Sequence, residues 1–230
     1  MTNFMSNSIF FGAALSLIAY EAGLLLKRKF KMAIFNPLLI AIIAVIAVLC
    51  LLHIDYDTYN QSGQYISYLL TPATVCLAVP LYQQMELLKK NLKAVVIGIV
   101  SGVLASLVSV LILARLFRLS HEQYVTLLPK SITTAIGMGV SEELGGIVTI
   151  TVAVIIITGV LGNMVAETVI KLAHIEEPIA KGLALGTSSH AIGTAKAMEL
   201  GEIEGAMSSL AIAVAGLLTV VGASVFAQFM

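Results

Sequence analysis

Four stretches of this chain run for about twenty residues without one charged side chain: 32–52, 94–114, 144–166 and 206–230. A helix of that length rises about 30 Å, the thickness of the hydrocarbon core of a bilayer. A fifth stretch, 8–26, meets the same condition with one charge, Glu21. Three more are apolar but punctuated: 65–82 by Pro72 and Pro80, 121–140 by Pro129 and Lys130, and 179–198 by Lys181, His190 and Lys196. Charged residues make up 11% of the 230 positions, against about 25% in soluble domains. So small a polar supply cannot cover a water-facing surface, so most of the surface is expected to face lipid. The expectation is a single all-α transmembrane domain over 1–230 with eight membrane elements and short loops.

The net charge is zero and no basic stripe with interleaved aromatics occurs, which argues against nucleic acid as a partner. Cys50 and Cys76 lie in apolar runs without metal-ligand spacing and read as buried free thiols. The first segment does not read as a cleaved signal, because its basic cluster follows the apolar run. Lys27, Arg28, Lys29 and Lys31 share a side with Lys89, Lys90 and Lys93, two crossings later, and that side should be cytoplasmic. The intervening loop 53–64 carries Asp55 and Asp57 and no basic residue, as an outer loop would. Arg115 and Arg118 fall outside, against the rule, and the N-terminus is expected outside.

The two halves resemble each other. Met85-Glu86-Leu87 returns as Met198-Glu199-Leu200, Gly102 matches Gly216 and Thr71 matches Thr187, at spacings of 113 to 116 residues. This divides the chain into repeats of about 1–115 and 116–230. Four crossings in each half would make the repeat parallel. If 121–143 fails to cross, the second half inverts and the loop with Lys171 and Lys181 turns cytoplasmic, as the charge rule prefers. The inverted arrangement with discontinuous helices, as in secondary transporters, is the expected one.

Three punctuated segments carry the candidate chemistry. In TPATVCLAVP (71–80), Pro72 and Pro80 each remove a backbone donor, and Thr71 and Thr74 can satisfy part of what is freed. GTSSHAIGTA (186–195) offers Gly186, Gly193, Ser188, Ser189, Thr194 and His190, a poor lipid-facing helix and a plausible polar surface. His190 would titrate near neutrality and could couple transport to protons. PKSITTAIG (129–137) places Lys130 in an apolar stretch, where a lysine at the bilayer centre costs at least ~2.5–3.5 kcal/mol and must snorkel, pair or face a cavity. Facing a cavity, it would be the counter-charge of a carboxylate, with Ser131, Thr133 and Thr134 beside it. Each segment also has a plainer reading: a proline kink patched by threonines, a small-residue packing surface, and a snorkelling lysine. Glu142 and Glu143 read as interfacial, and Glu21 as either interfacial or paired within the membrane. No phosphate-binding loop, no zinc-protease pattern around His121 and no assembled catalytic triad occurs, so neither an enzyme nor a metal or other cofactor is expected.

The stretches LLTPATVCLAVPLYQQ (69–84), LLPKSITTAIGMGVSEELGGI (127–147) and GLALGTSSHAIGTAKAMELGEIEGAMSSLA (182–211) are similar to signature stretches of the LrgB/CidB family. The chain departs from that pattern at Ala135, where a proline is common, and at Thr71, where glycine is common. The resemblance implies a multi-pass protein of the bacterial cytoplasmic membrane. It implies two kinds of function. Some relatives, including half of the plastidic glycolate/glycerate transporters, are associated with small monocarboxylates such as pyruvate, glycolate and glycerate. Others are named antiholin-like and are taken to modulate murein hydrolase export and autolysis beside a holin-like LrgA/CidA-type protein, without a transported substrate. The residues favour the first. The expectation is alternating-access transport of a small organic anion, coupled to a proton or sodium, in a homodimer. Its binding residues would be Thr74, Lys130, Ser131, Thr133, Thr134, Ser188, Ser189, His190 and Thr194, with breaks at Pro72, Pro80, Pro129, Gly186 and Gly193.

Overall fold

The structure, a computed structural model, describes residues 10–30, 32 and 35–230. The start of the 8–26 segment and Lys31 of the basic cluster lie outside the described residues. Among those described there are helices and no strand. The protein is an all-α membrane protein. Four helical stretches are long and apolar enough to cross a bilayer: Tyr56–Gln83, Leu92–Leu116, Val148–Leu172 and Glu202–Phe229. The chain forms two compact units, Met1–Cys76 and Leu77–Met230.

The first unit contains α1 (Phe11–Phe30), α2 (Pro37–Leu52), α3 (Tyr56–Ser67) and α4 (Leu70–Cys76). α1 packs against both α2 and α3. Its N-terminus is capped from a distant helix: Ser62 Oγ accepts from the N–H of Gly12 at 2.7 Å and of Ala13 at 3.3 Å. Gly12 is required there because a Cβ would strike the Tyr59 carbonyl oxygen. Asn36 caps α2 by accepting from Leu38 N at 2.9 Å and Leu39 N at 3.2 Å, and Pro37 takes the first helical position, where no N–H is needed.

The expected outer loop 53–64 is largely helical instead. Asp55 accepts from Thr58 N at 2.9 Å and Thr58 Oγ1 at 2.8 Å, an N-cap that starts α3. These bonds hold the exposed Asp55 carboxyl below its usual range. The prolines act one turn upstream, where the carbonyls that their missing N–H groups would have bonded lie. Helix is interrupted at Tyr68–Leu69, before Pro72, and at Leu77, before Pro80. Cys50 and Cys76 are free, as expected, but exposed and not buried. An apolar run in a membrane helix has a lipid-facing side, and burial cannot be read from hydropathy alone.

The second unit contains α5 (Ala78–Gln83), α6 (Met85–Lys90), α7 (Leu92–Leu116), α8 (His121–Leu127), α9 (Thr134–Glu143), α10 (Val148–Leu172), α11 (Pro178–Leu200) and α12 (Glu202–Phe226), closed by a 3-10 turn over Ala227–Phe229. α7 buries Val95, Ile99, Val103, Leu107, Val110 and Ala114, a stripe at helical spacing. In the same cluster α12 contributes Met207 and three small residues, Ala211, Ala215 and Ala223. The opposite faces expose Ile97, Leu104 and Ile112 on α7 and Leu217, Val221 and Val225 on α12, as lipid contact requires. α11 packs against α7, α10 and α12, while α5 packs against α12.

The segment 121–143 is broken. α8 and α9 rise only about 10 and 15 Å, so neither alone crosses a core of about 30 Å. Between them the chain turns through Leu128–Ile132 around the buried Pro129. A buried hydroxyl network fixes both pieces to α10. Thr151 Oγ1 lies 2.7 Å from Ser141 Oγ and donates to the Thr126 carbonyl at 2.9 Å, and Thr126 Oγ1 accepts from Ile147 N at 2.8 Å.

Three helices end on a left-handed residue other than glycine: His53 after α2, Arg118 after α7 and His174 after α10, with φ of 51°, 53° and 51°. Each is followed by a bond back to the carbonyl five residues earlier: Ile54 to Leu49, Leu119 to Ala114 and Ile175 to Ile170, at 2.9–3.0 Å. This is the Schellman arrangement that satisfies terminal carbonyls.

Candidate functional site

α7 and the first half of α11 approach closely because α7 is small-faced. A Cβ on Gly98 would lie 2.9 Å from Leu183 Cδ1, and one on Gly102 would lie 2.6 Å from Thr187 Oγ1. Beside this contact runs a groove of about 810 Å³. Asn91 and Glu177, which precede α7 and α11, line it, and so do Ser106 and Ser109 further along α7. Asn91 and Ser106 are separated by about 22 Å of helix at 1.5 Å per residue. Lys130 and Ser131 enter the groove from the break between α8 and α9, and Ser188 from α11.

Lys130 is half-buried. Its Nζ donates to Ser131 Oγ at 2.8 Å, and Ser106 Oγ donates to the same oxygen at 3.1 Å. Among the described residues no carboxylate lies within ion-pair distance of Lys130. The break that Pro129 enforces thus sets a cation and a hydroxyl against the serine face of α7.

α11 has its own break, at Ser189 (φ −132°, ψ 15°) and His190 (φ 42°, ψ −136°). Positive φ on a β-substituted residue in mid-helix stores strain of ~1–3 kcal/mol. α10 holds it in place. His190 Nε2 lies 3.0 Å from the Ile155 carbonyl, which only accepts, so Nε2 carries the proton. Asn163 Nδ2 donates to the Ile192 carbonyl at 3.0 Å. Gly159 and Gly162 leave the space that His190 and Ser189 occupy.

The residues singled out in the sequence separate into groups. Lys130, Ser131 and Ser188 line the groove. Ser189 and His190 are buried against α10. Thr194 is buried toward α12, with its Oγ1 2.7 Å from Ser208 Oγ and donating to the His190 carbonyl at 3.1 Å. Thr133 is the N-cap residue of α9 without a side-chain cap bond, and Thr134 is the first residue of that helix. Neither is among the groove residues. Thr74 lies in α4, and its side chain is outside those described. Gly186 and Gly193 remain helical. Gly186 admits the Ser208 carbonyl at 2.5 Å from where a Cβ would be, and Gly193 likewise admits the Leu185 carbonyl at 2.6 Å.

Two groups escape a reading of the sequence. Ser101, Ser106 and Ser109 line the groove from a span that reads as simply apolar. Ser106 and Ser109, three residues apart, share one helical face, the one available signal. Lys196, whose side chain is only 12% exposed, bonds Glu167 of α10 at 2.6 Å and Glu199 at 3.0 Å, tying the second half of α11 to α10. The i, i+3 spacing of Lys196 and Glu199 is visible in sequence. The partnership with Glu167 is tertiary.

Residues 16–229 match the LrgB-like family. An antiholin-like protein LrgB of Bacillus mycoides is 40% identical over 221 residues, covering 96% of each chain. Proteins of the same name from Bacillus cereus and Bacillus anthracis are 39% identical over the same coverage. No solved structure matches.

Proposed function

Because the chain belongs to the LrgB-like family, we propose that it is an antiholin-like multi-pass membrane protein acting with a holin-like partner of the LrgA/CidA type. In this reading it modulates murein hydrolase export and autolysis from the bacterial cytoplasmic membrane. The observation that carries it is near-end-to-end identity of about 40% to proteins so named. The comparisons favour it over the carrier expected from the residues alone. The test is complementation. A strain lacking this protein should show altered murein hydrolase release, restored by the protein only when the holin-like partner is present. Restoration without that partner would refute the reading.

A second reading is favoured by one feature of the groove, the Lys130 ammonium with no carboxylate in ion-pair range. Here the protein carries a small monocarboxylate of the pyruvate, glycolate or glycerate class, with a coupled proton or sodium, by alternating access in a homodimer. Inverted repeats would supply the moving parts. Two features support them: the shortness of α8 and α9, and a reciprocity in which α11 packs on α7 while α5, from the matching segment, packs on α12. Saturable uptake of labelled pyruvate or glycolate into proteoliposomes, abolished in Lys130→Ala at normal expression, is the expected result. A protein acting only as a regulator would tolerate that substitution and show no uptake.

A further inference from the structure

Ser131 is 5% exposed, and its oxygen receives two hydrogen bonds. One comes from Lys130 Nζ at 2.8 Å and the other from Ser106 Oγ at 3.1 Å. A hydroxyl has two lone pairs and one proton, and an ammonium has nothing to accept with. With both lone pairs engaged, Ser131 can only donate further. No acceptor for its proton occurs among the described side chains and backbone carbonyls bonded there. The ammonium beside it also has hydrogens to spare. The Lys130 and Ser131 side chains therefore present donors and no acceptor to the groove, and a buried donor left unmet is costly. Its complement is a group that only accepts.

We infer that Ser106 is a positioning residue: by donating to Ser131 it fixes that hydroxyl as a donor, so the Lys130–Ser131 end of the groove takes an oxyanion such as a carboxylate and rejects the isosteric amide. The inference rests on the carrier reading of the groove and adds a polarity to it. An amide turns an N–H toward Ser131, where donor meets donor. Without Ser106, the Ser131 hydroxyl can turn a lone pair to the groove and tolerate that N–H. The charge of Lys130 remains and leaves a residual preference.

The test is binding of labelled pyruvate to the full-length protein in lipid nanodiscs, with unlabelled pyruvate and pyruvamide as competitors. The wild type should prefer pyruvate by at least about tenfold, as expected when one buried donor is left unpaired by the wrong ligand. Ser106→Ala should reduce the preference to about threefold, mainly through tighter relative binding of pyruvamide, and Ser106→Thr should restore it, since threonine keeps the hydroxyl. Thermal midpoints measured alongside identify a variant that has lost its fold. If Ser106→Ala leaves the preference unchanged, or weakens both ligands alike, the inference is overturned while the carrier reading stands. If the wild type binds no pyruvate, both are overturned.

Discussion

The imidazole of His190 reaches across from a broken α11 to the carbonyl of Ile155 on α10, with Nε2 3.0 Å from the oxygen. That bond offsets a backbone conformation (φ 42°, ψ −136°) that histidine adopts at a cost. The two terms can be separated by substitution. His190→Ala loses the bond and keeps the strain, whereas His190→Gly loses the bond and relieves it. Thermal midpoints in detergent should fall in the order wild type, His190→Gly, His190→Ala, the two variants differing in unfolding free energy by about 1–2 kcal/mol. Equal midpoints for the two variants would mean the strain is not there.

Gly162 sits where any side chain would run into Ser189. Gly162→Ala should destabilise the α10–α11 contact by about 1–3 kcal/mol, as overpacking does. Ser189→Gly in the same chain should recover most of that loss, since it removes the obstructing atoms. Additive losses in the double variant would contradict the contact.

Ser62 caps α1 from fifty residues away in sequence. Ser62→Ala leaves the N–H groups of Gly12 and Ala13 without that acceptor and should cost about 1–2 kcal/mol. Hydrogen exchange should show the loss first at Gly12 and Ala13. Unchanged protection there would count against the cap.

Lys196 gathers Glu167 and Glu199 across α10 and α11. The carboxylates are about half exposed, so solvent screens the interaction, and a double-mutant cycle of Lys196→Met with Glu167→Gln should give a coupling of about 1 kcal/mol or less. The coupling should shrink in high salt. A salt-independent coupling would mean packing, not charge, joins them.

Much of this fold was legible in the chain. Each of the eight apolar segments contains helix, because a run of some twenty mostly apolar residues has few alternatives in lipid. Pro72, Pro80 and Pro129 each interrupt helix near where a missing N–H predicts. What failed depended on neighbours distant in sequence. The break in α11 falls at Ser189 and His190 and not at a glycine, because α10 supplies the carbonyl of Ile155 and the space at Gly159 and Gly162. The helix at Tyr56–Ser67 was hidden by reading Asp55 as a loop acid when it is an N-cap. At the candidate site, Lys130 and Ser131 stood out as polar atoms in an apolar run. The serines of α7 did not, since a serine in a long span looks like any small residue until its partner is known.

The left-handed ends of α2, α7 and α10 carry one further implication. Glycine would stop a helix there with less strain, yet the stops are His53, Arg118 and His174. The guanidinium of Arg118 and the polar imidazoles of His53 and His174 suit a carbonyl-rich terminus and prefer the headgroup layer to the acyl chains. In a bilayer each stop would work as a float line, setting how far its helix sinks before it meets water.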